Sequence, residues 1–544
     1  MSEKVTPCVA IDRTKVGSRP SLGSLPPDLR LWFTAPGVRN RLNLAMKLLP
    51  CACTRHLWTL WIVWAWIAGP DVEGVRGAEL SGVRPPNVVL ILADDLGWSD
   101  LGCYGADLHE TPRIDQLARE GVRFVQAYAP SPVCTPTRAS LLTGKAPARL
   151  RMTIWSEGSL NPPKERSLLE APSRHDLPLH QKTVARHLQE AGYLTAVVGK
   201  WHLGDGNHAP EAHGFDVNIG GTHWGAPFSF FWPYRGSGRS GAEFRYVPHL
   251  EFGAPGEYLT DRLTDEALRV IDRAGDKPFF LFLAHHAPHT PIEAKPADVA
   301  YFEAKRRPGM HHQHAGYAAM IKSLDDSVGR VLARLEERGL ASNTVVIFAS
   351  DNGGYLGIDS KTGKVITSNA PLRSGKGSLY EGGLRVPLIV RWPGVTRVGA
   401  TIETPVILTD LFYTLMEAAK LRSAPVPQEP ADGLSLRPLL ENPQAIVARE
   451  ALFFHYPHYY HAPKTVPSSA VREGDWKLIE YFGESTPELF DLKHDPAERN
   501  NLALTEPSRV DAMKRRLSDW RRQVDAALPT PNPAPFQPNP DVTR

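Results

Sequence analysis

Four short apolar runs, each turning polar at its carboxyl end, constrain this fold more than any other feature of the chain. They are NVVLILADD, closing on Asp94 and Asp95; YLTAVVGKWH, closing near Lys200 and His202; PFFLFLAHHAPH, closing on a histidine cluster; and TVVIFASDNGG, closing on Asp351 and Asn352. Between them stand segments with helical spacing: TPRIDQLAREG, KTVARHLQEAG, LTDEALRVIDRAG and AGYAAMIKSLDDSVGRVLARLEERG. In the last, Tyr317, Met320, Ile321, Leu324, Val328, Val331, Leu332 and Leu335 recur three or four apart, an apolar stripe that reads as core. Strands alternating with helices mean an α/β fold with a large, mostly parallel sheet flanked by helices. Helical crossovers make the strands run the same way, so their carboxyl ends gather at one edge, where open α/β sheets bind ligands. Residues distant in sequence then share one crevice.

After LRVPLIVRWPG the rhythm changes. ALFFHYPHYY, AVREGDWKLIEYF and PELFDLKHDP read as strands and turns of a smaller antiparallel sheet, followed by a helix from about Pro507 to Leu528. The expected organisation is a leader over 1–85, a catalytic domain over 86–445, a small α+β domain over 446–528 and a proline-rich, disordered tail over 529–544. At 544 residues the chain is long enough for a large domain plus a smaller one. Its 62 lysines and arginines nearly balance 59 aspartates and glutamates, without the basic footprint of a nucleic-acid binder.

The amino terminus reads as targeting. Met46-Lys47 opens a short basic stretch, and LWTLWIVWAWIAG from Leu57 has signal-peptide length, short for a spanning helix. Export to the periplasm or outside the cell is expected, with an amino-terminal anchor as the alternative. Of five cysteines only Cys103 and Cys134 lie beyond this segment, too few for a disulfide framework.

Asp94, Asp95, Asp351 and Asn352 would meet at the sheet edge and offer oxygen ligands only, which suits Ca²⁺ or Mg²⁺ rather than zinc. Paired aspartates alone more often cap helices or close strands. Cys134 stands before TPTRASLLTG, where Pro136 fits a first helical turn. A cysteine at a helix amino terminus faces unpaired N–H groups that lower its pKa, although a capped helix with an inert thiol is the plain alternative. His285 and His286 read as packing groups. MHHQH at 310–314 could suggest a metal site but reads better as the start of a surface helix.

The stretch CTPTRASLLTGK closely resembles the sulfatase signature C-x-P-x-R-x-x-x-L-x-T-G. NVVLILADDLGWSDLGCYG, GKWHLG, HGFD, APHTP, SDNGG and GKGSLYEGGLRVP resemble further type I sulfatase blocks, in the same order. The resemblance runs from about Pro86 to ELFDLKHDPAERNNLA and implies an alkaline phosphatase-like fold. It implies that Cys134 is oxidised to formylglycine by a maturation enzyme. One hydroxyl of the hydrated aldehyde attacks sulfur and the other expels sulfate, which a serine could not do. It further implies Ca²⁺ (Mg²⁺ as the alternative) held by Asp94, Asp95, Asp351, Asn352 and the oxidised Cys134. Arg138 would orient the diol, and Lys200 and Lys376 would supply positive charge. His202 would be the base for sulfate elimination, and His289 the group that protonates the leaving oxygen.

The substrate clues are two aromatic segments, GTHWGAPFSFFWPYRGSG and HYPHYYHAP, which suit a wall for a sulfated sugar or pack on themselves. Two readings compete with the sulfatase: a phosphate or phosphonate ester hydrolase of the same superfamily, and a non-catalytic protein that binds sulfated glycans.

Overall fold

The computed structural model describes residues 84–159, 166–237, 243–421, 432–461, 464–483 and 486–533. They belong to one compact unit that begins at Val83. The expected leader, with Cys8, Cys51, Cys53 and the apolar run from Leu57, lies outside the described residues.

Nine strands form the main sheet: β1 (Asn87–Ala93), β2 (Val122–Tyr128), β3 (Leu194–Gly199), β4 (Val217–Ile219), β5 (Phe279–Ala284), β6 (Thr344–Ser350), β7 (Arg385–Arg391), β8 (Ala400–Ile402) and β9 (Val406–Ile407). Their order is β8-β2-β7-β6-β1-β5-β3-β4, with β9 also on β2. Only β7 is reversed, pairing antiparallel with β2 and β6. The four apolar runs are the neighbouring parallel strands β6, β1, β5 and β3. Every residue of β1, β5 and β6 is buried, which is why these strands show no polar alternation.

Both faces of the sheet are covered. Val88, Leu90 and Leu92 of β1 pack with α2 (Cys134–Thr143), α3 (Val184–Glu190) and α6 (Asp410–Ala418). Val89, Ile91 and Ala93 pack with α1 (Pro112–Glu120), α4 (Leu259–Arg273) and α5 (Ala315–Glu337). All eight residues of the apolar stripe on α5 are buried. Each such side chain is worth about 1.5–3 kcal/mol, enough to fix a long helix against the sheet.

The smaller sheet is an antiparallel meander of β10 (Leu452–Tyr456), β11 (Ser468–Glu473), β12 (Trp476–Tyr481) and β13 (Glu488–Asp491). On one face Val471, Leu478 and Leu489 meet Val510, Met513 and Leu517 of α7 (Pro507–Gln523). On the other, Phe454, Ala470 and Ile479 meet Tyr128, Leu384 and Ile407 of the main domain. Fully buried in this seam, Lys477 Nζ lies 2.9 Å from both Glu381 Oε1 and Glu498 Oε1. Burial raises the Glu381 carboxyl, but Lys477, Arg472 and Arg385 outweigh it and hold it at about 2. Burial also raises Glu498 and here prevails over Lys477, pushing it up to about 7.

Two expectations need correction. The tail does not begin at 529, because Thr530–Pro531 pair with Leu168–Leu169 as a short edge, where a proline is tolerated; residues from 534 lie outside the described region. The MHHQH segment does precede a helix, and the His314 ring accepts from the Tyr317 N–H, but it is not a surface element. His312 and His314 are buried. His312 stands between Asp107, 2.7 Å from Nδ1, and Asp100, 3.1 Å from Nε2. Burial lowers the His312 pKa, yet these carboxylates raise it to about 9, and they are why a polar ring can be buried there. Asp100, His109 and His312 have ligand atoms close enough to hold an ion, but His312 has a carboxylate on both nitrogens and reads as an ion-paired imidazolium.

Candidate active site

The carboxyl ends of β1, β3, β5 and β6 deliver their polar residues to one edge. Asp94 and Asp95 follow β1, Lys200 and His202 follow β3, His289 follows β5, and Asp351 and Asn352 follow β6. Asp95 and His202 hold φ of 63° and 59°, left-handed values that non-glycine residues adopt at a cost of about 1–3 kcal/mol and that cluster at functional sites. Gly199, at φ 104°, lets β3 end there: a Cβ would lie 2.0 Å from the Ala284 carbonyl oxygen.

Oxygen donors and cations interlock. The Asn352 amide donates to Asp95 Oδ1 at 2.8 Å, and the Asp95 N–H donates to Asp351 Oδ1 at 3.2 Å. Arg138 donates through Nε to Asp351 Oδ2 at 2.9 Å and through Nη1 to the Lys200 carbonyl at 2.9 Å. Lys200 Nζ donates to Asp94 Oδ2 at 2.7 Å, and Lys376 Nζ donates to Asp95 Oδ2 at 2.8 Å. Asp94 Oδ1 and Asn352 Oδ1 are buried with no hydrogen-bond partner among the described residues. Two unpaired buried oxygens from adjacent strand tips fit a hard cation, as does the all-oxygen donor set. Ligand atoms of Asp94, Asp95 and His289 lie within 4.8 Å of one another, so the imidazole borders the same place.

Cys134 opens α2, and its thiol is buried. Its Sγ is 3.3 Å from His202 Nδ1. Burial pushes this thiol up, but Lys200, His202 and Lys376 outweigh it and bring it down to about 6. Cys103 and Cys134 are both free, as separate thiols should be. His289 Nδ1 lies 2.6 Å from the Thr290 carbonyl, which places the ring proton there and leaves Nε2 to accept from Lys376 at 3.2 Å. His285 bonds Ser327 at 2.9 Å through Nε2, a packing role.

All ten candidate residues therefore meet at one place. A cavity of about 170 Å³ opens over Cys134, His202, His289, Asp95 and Lys376. Both aromatic segments reach it, through Gly225 and Ala226 from one and Tyr460 and His461 from the other. Trp155, Tyr355 and Arg245 complete the wall. Among the groups without a sequence signal, a carboxylate also lines it. Glu157, in a single turn at Ser156–Ser159, lies 3.2 Å from His202 Nε2 and accepts from the Gly225 N–H at 3.2 Å. The pair holds a proton on His202 Nε2 and aims Nδ1 at Cys134. Gly225 is needed there because a Cβ would lie 2.5 Å from the His202 ring.

A nucleophile at a helix end, three cations and a ring of carboxylates at a parallel-sheet edge define a hydrolase of tetrahedral oxyanion esters. Comparison with known proteins narrows that class. A family model described as Sulfatase matches residues 86–421, and one described as N-sulphoglucosamine sulphohydrolase, C-terminal, matches residues 375–523. The chain belongs to the sulfatase family, whose members hydrolyse sulfate esters. It is 33% identical over 515 residues to steryl-sulfatase of Mus musculus, covering 77% of this chain and 78% of that one. It is 30% identical over 507 residues to N-acetylgalactosamine-6-sulfatase of Homo sapiens, covering 85% and 90%. Among solved structures, Ps i-CgsB in complex with k-i-k-neocarrahexaose superposes with a TM-score of 0.65 at 30% identity, covering 80% of this chain and 93% of that one.

Proposed function

We propose that the chain cleaves sulfate monoesters of carbohydrates, using a formylglycine made from Cys134 and a divalent cation held by Asp94, Asp95, Asp351 and Asn352. The observation that carries this reading is the place of residue 134: at a helix amino terminus, 3.3 Å from the His202 ring and lining one cavity with Lys376, His289 and Asp95. The Cys134 Sγ stands in for the oxygens of the hydrated aldehyde. An all-protein set of oxygen ligands favours Ca²⁺ over Mg²⁺, which keeps more of its water. When bound, the cation polarises the sulfuryl oxygen as a Lewis acid.

The chain's own residues do the rest. Arg138 fixes Asp351 and the Lys200 backbone, so the helix end and two strand tips hold one geometry. His202, its Nε2 proton committed to Glu157, presents Nδ1 to take a proton from residue 134. Lys200 and Lys376 keep fixed positive charge where the transferring group becomes more negative. His289 is assigned the protonation of the departing alcohol oxygen, for which its Nε2, an acceptor from Lys376 in the resting site, must first take up a proton. Tyr460, Tyr355 and Trp155 offer faces for a sugar ring. The oligosaccharide in Ps i-CgsB and the sugar ester named for N-acetylgalactosamine-6-sulfatase point the same way. The apolar run from Leu57 supports export, so that enzyme and substrate would meet in the periplasm or outside the cell, with an amino-terminal anchor as the alternative.

The mass of the peptide spanning Cys134 tests the mechanism. An aldehyde there, with turnover of 4-nitrophenyl sulfate above 4-nitrophenyl phosphate and phenylphosphonate esters, is the expected result. A uniformly unmodified thiol in active protein refutes it. Turnover of sulfated monosaccharides below that of a steryl sulfate refutes the carbohydrate assignment.

A further inference from the structure

One basic side chain of the cavity is left unused by the sulfate chemistry. Arg245 lines the same cavity as Cys134, with its guanidinium 5.3 Å from the centroid of the Trp224 ring. Trp224 in turn packs on the His223 ring, tilted, with ring centroids 4.3 Å apart. A guanidinium laid over an indole face keeps its in-plane N–H donors available for an anion. Its carboxylate partner, Glu243 at 3.1 Å, has a side chain 48% exposed, so water screens that pair and a ligand can displace it. A sphere with the cavity's volume of about 170 Å³ is roughly 7 Å across, the breadth of one sugar ring. An ester at residue 134 and an anion at Arg245 then belong to one saccharide unit or to direct neighbours.

We propose that Arg245 forms a second anion subsite, so that the preferred ligands are sulfated saccharides bearing a further negative group beside the ester that is cleaved. The second anion is another sulfate or a uronate carboxylate. The inference rests on the sulfated-carbohydrate reading of the cavity, but its test does not depend on turnover.

Calorimetry on Cys134→Ala, which binds without reacting, and on Cys134→Ala/Arg245→Gln reads the subsite directly. The probes are N-acetylgalactosamine 6-sulfate, N-acetylgalactosamine 4,6-disulfate and the 6-sulfated disaccharide that adds a uronate. With Arg245 present, at least one dianionic probe binds about ten-fold more tightly than the monosulfate, the scale of one charge-assisted hydrogen bond at a part-exposed site. Which of the two gains identifies the second anion. With Arg245→Gln the advantage disappears. Equal affinities, no measurable binding, or a preference that survives Arg245→Gln overturns the proposal. A wild-type enzyme that leaves 4-nitrophenyl sulfate untouched refutes the sulfatase mechanism, while the binding contrast still decides the subsite.

Discussion

Replacing Lys477 with methionine should destabilise the protein strongly without touching its chemistry. Its ammonium is fully buried between Glu381 and Glu498, at 2.9 Å from each. Removing one partner of a buried ionic group leaves uncompensated charge and costs about 3–5 kcal/mol. The lower end applies here, because Glu498 already sits at about 7 and takes up a proton readily once the lysine is gone. Unfolding roughly 460 residues at about 2.1 cal/mol/K each gives an entropy near 1 kcal/mol/K, so about 3 kcal/mol lowers Tm by about 3 °C. Adding Glu498→Gln removes one of the two stranded carboxylates and should recover part of the loss. The single Glu498→Gln variant supplies a pH signature. A carboxyl whose folded pKa is raised contributes stability that is present below its unfolded pKa and lost as pH rises through about 7. The neutral amide should therefore gain on the wild type between pH 5 and pH 8. Scanning calorimetry at one fixed rate, with 4-nitrophenyl sulfate turnover at 25 °C as the control, measures all of this. A Lys477→Met protein as stable as the wild type, or a Glu498→Gln difference independent of pH, would refute the account of the seam.

Asp351→Ala removes both a proposed cation ligand and the acceptor for Arg138; metal content after dialysis should fall and stability should drop by about 3–5 kcal/mol, so an undiminished metal stoichiometry would count against the assigned ligand set. Glu157→Ala frees the His202 tautomer and should lower kcat by about ten-fold or more with little change in KM. Glu157→Gln, whose carbonyl still accepts from Nε2, should retain most of the activity, and equal losses in the two variants would rule out an orienting role. Gly199→Ala places a Cβ 2.0 Å from the Ala284 carbonyl at φ 104°, so soluble yield and Tm should both fall sharply; a normal Tm would mean the strand end relaxes more easily than this geometry implies.

The central strands were legible because burial on both faces writes them as unbroken apolar runs. The polar letters at their ends were legible as a site because parallel connections send those ends to one edge. Neither argument reaches Glu157, Gly225 or Arg245, which sit on irregular or very short segments where no periodicity exists, and whose meaning comes from the rings they touch. His312 and His314 were misplaced for a related reason: the carboxylates Asp100 and Asp107, which make a buried His312 tolerable, lie more than 200 residues away in sequence. The short pairing of Thr530–Pro531 carries no sequence signal because prolines ordinarily argue against a strand.

The loop bearing Lys376 leans on segments that join and follow the strands of the meander. A Cβ on Gly377 would lie 2.1 Å from the Tyr460 ring, its carbonyl accepts from Thr465 Oγ1 at 2.9 Å, and Arg373 donates to the Glu498 carbonyl at 2.9 Å. A truncated chain ending at the last strand of the main sheet would keep its aspartates and its cysteine but lose the scaffold that aims one of its three cations. Minimised versions of this protein must carry the appended sheet along, because the loop that presents Lys376 to the cavity is built against it.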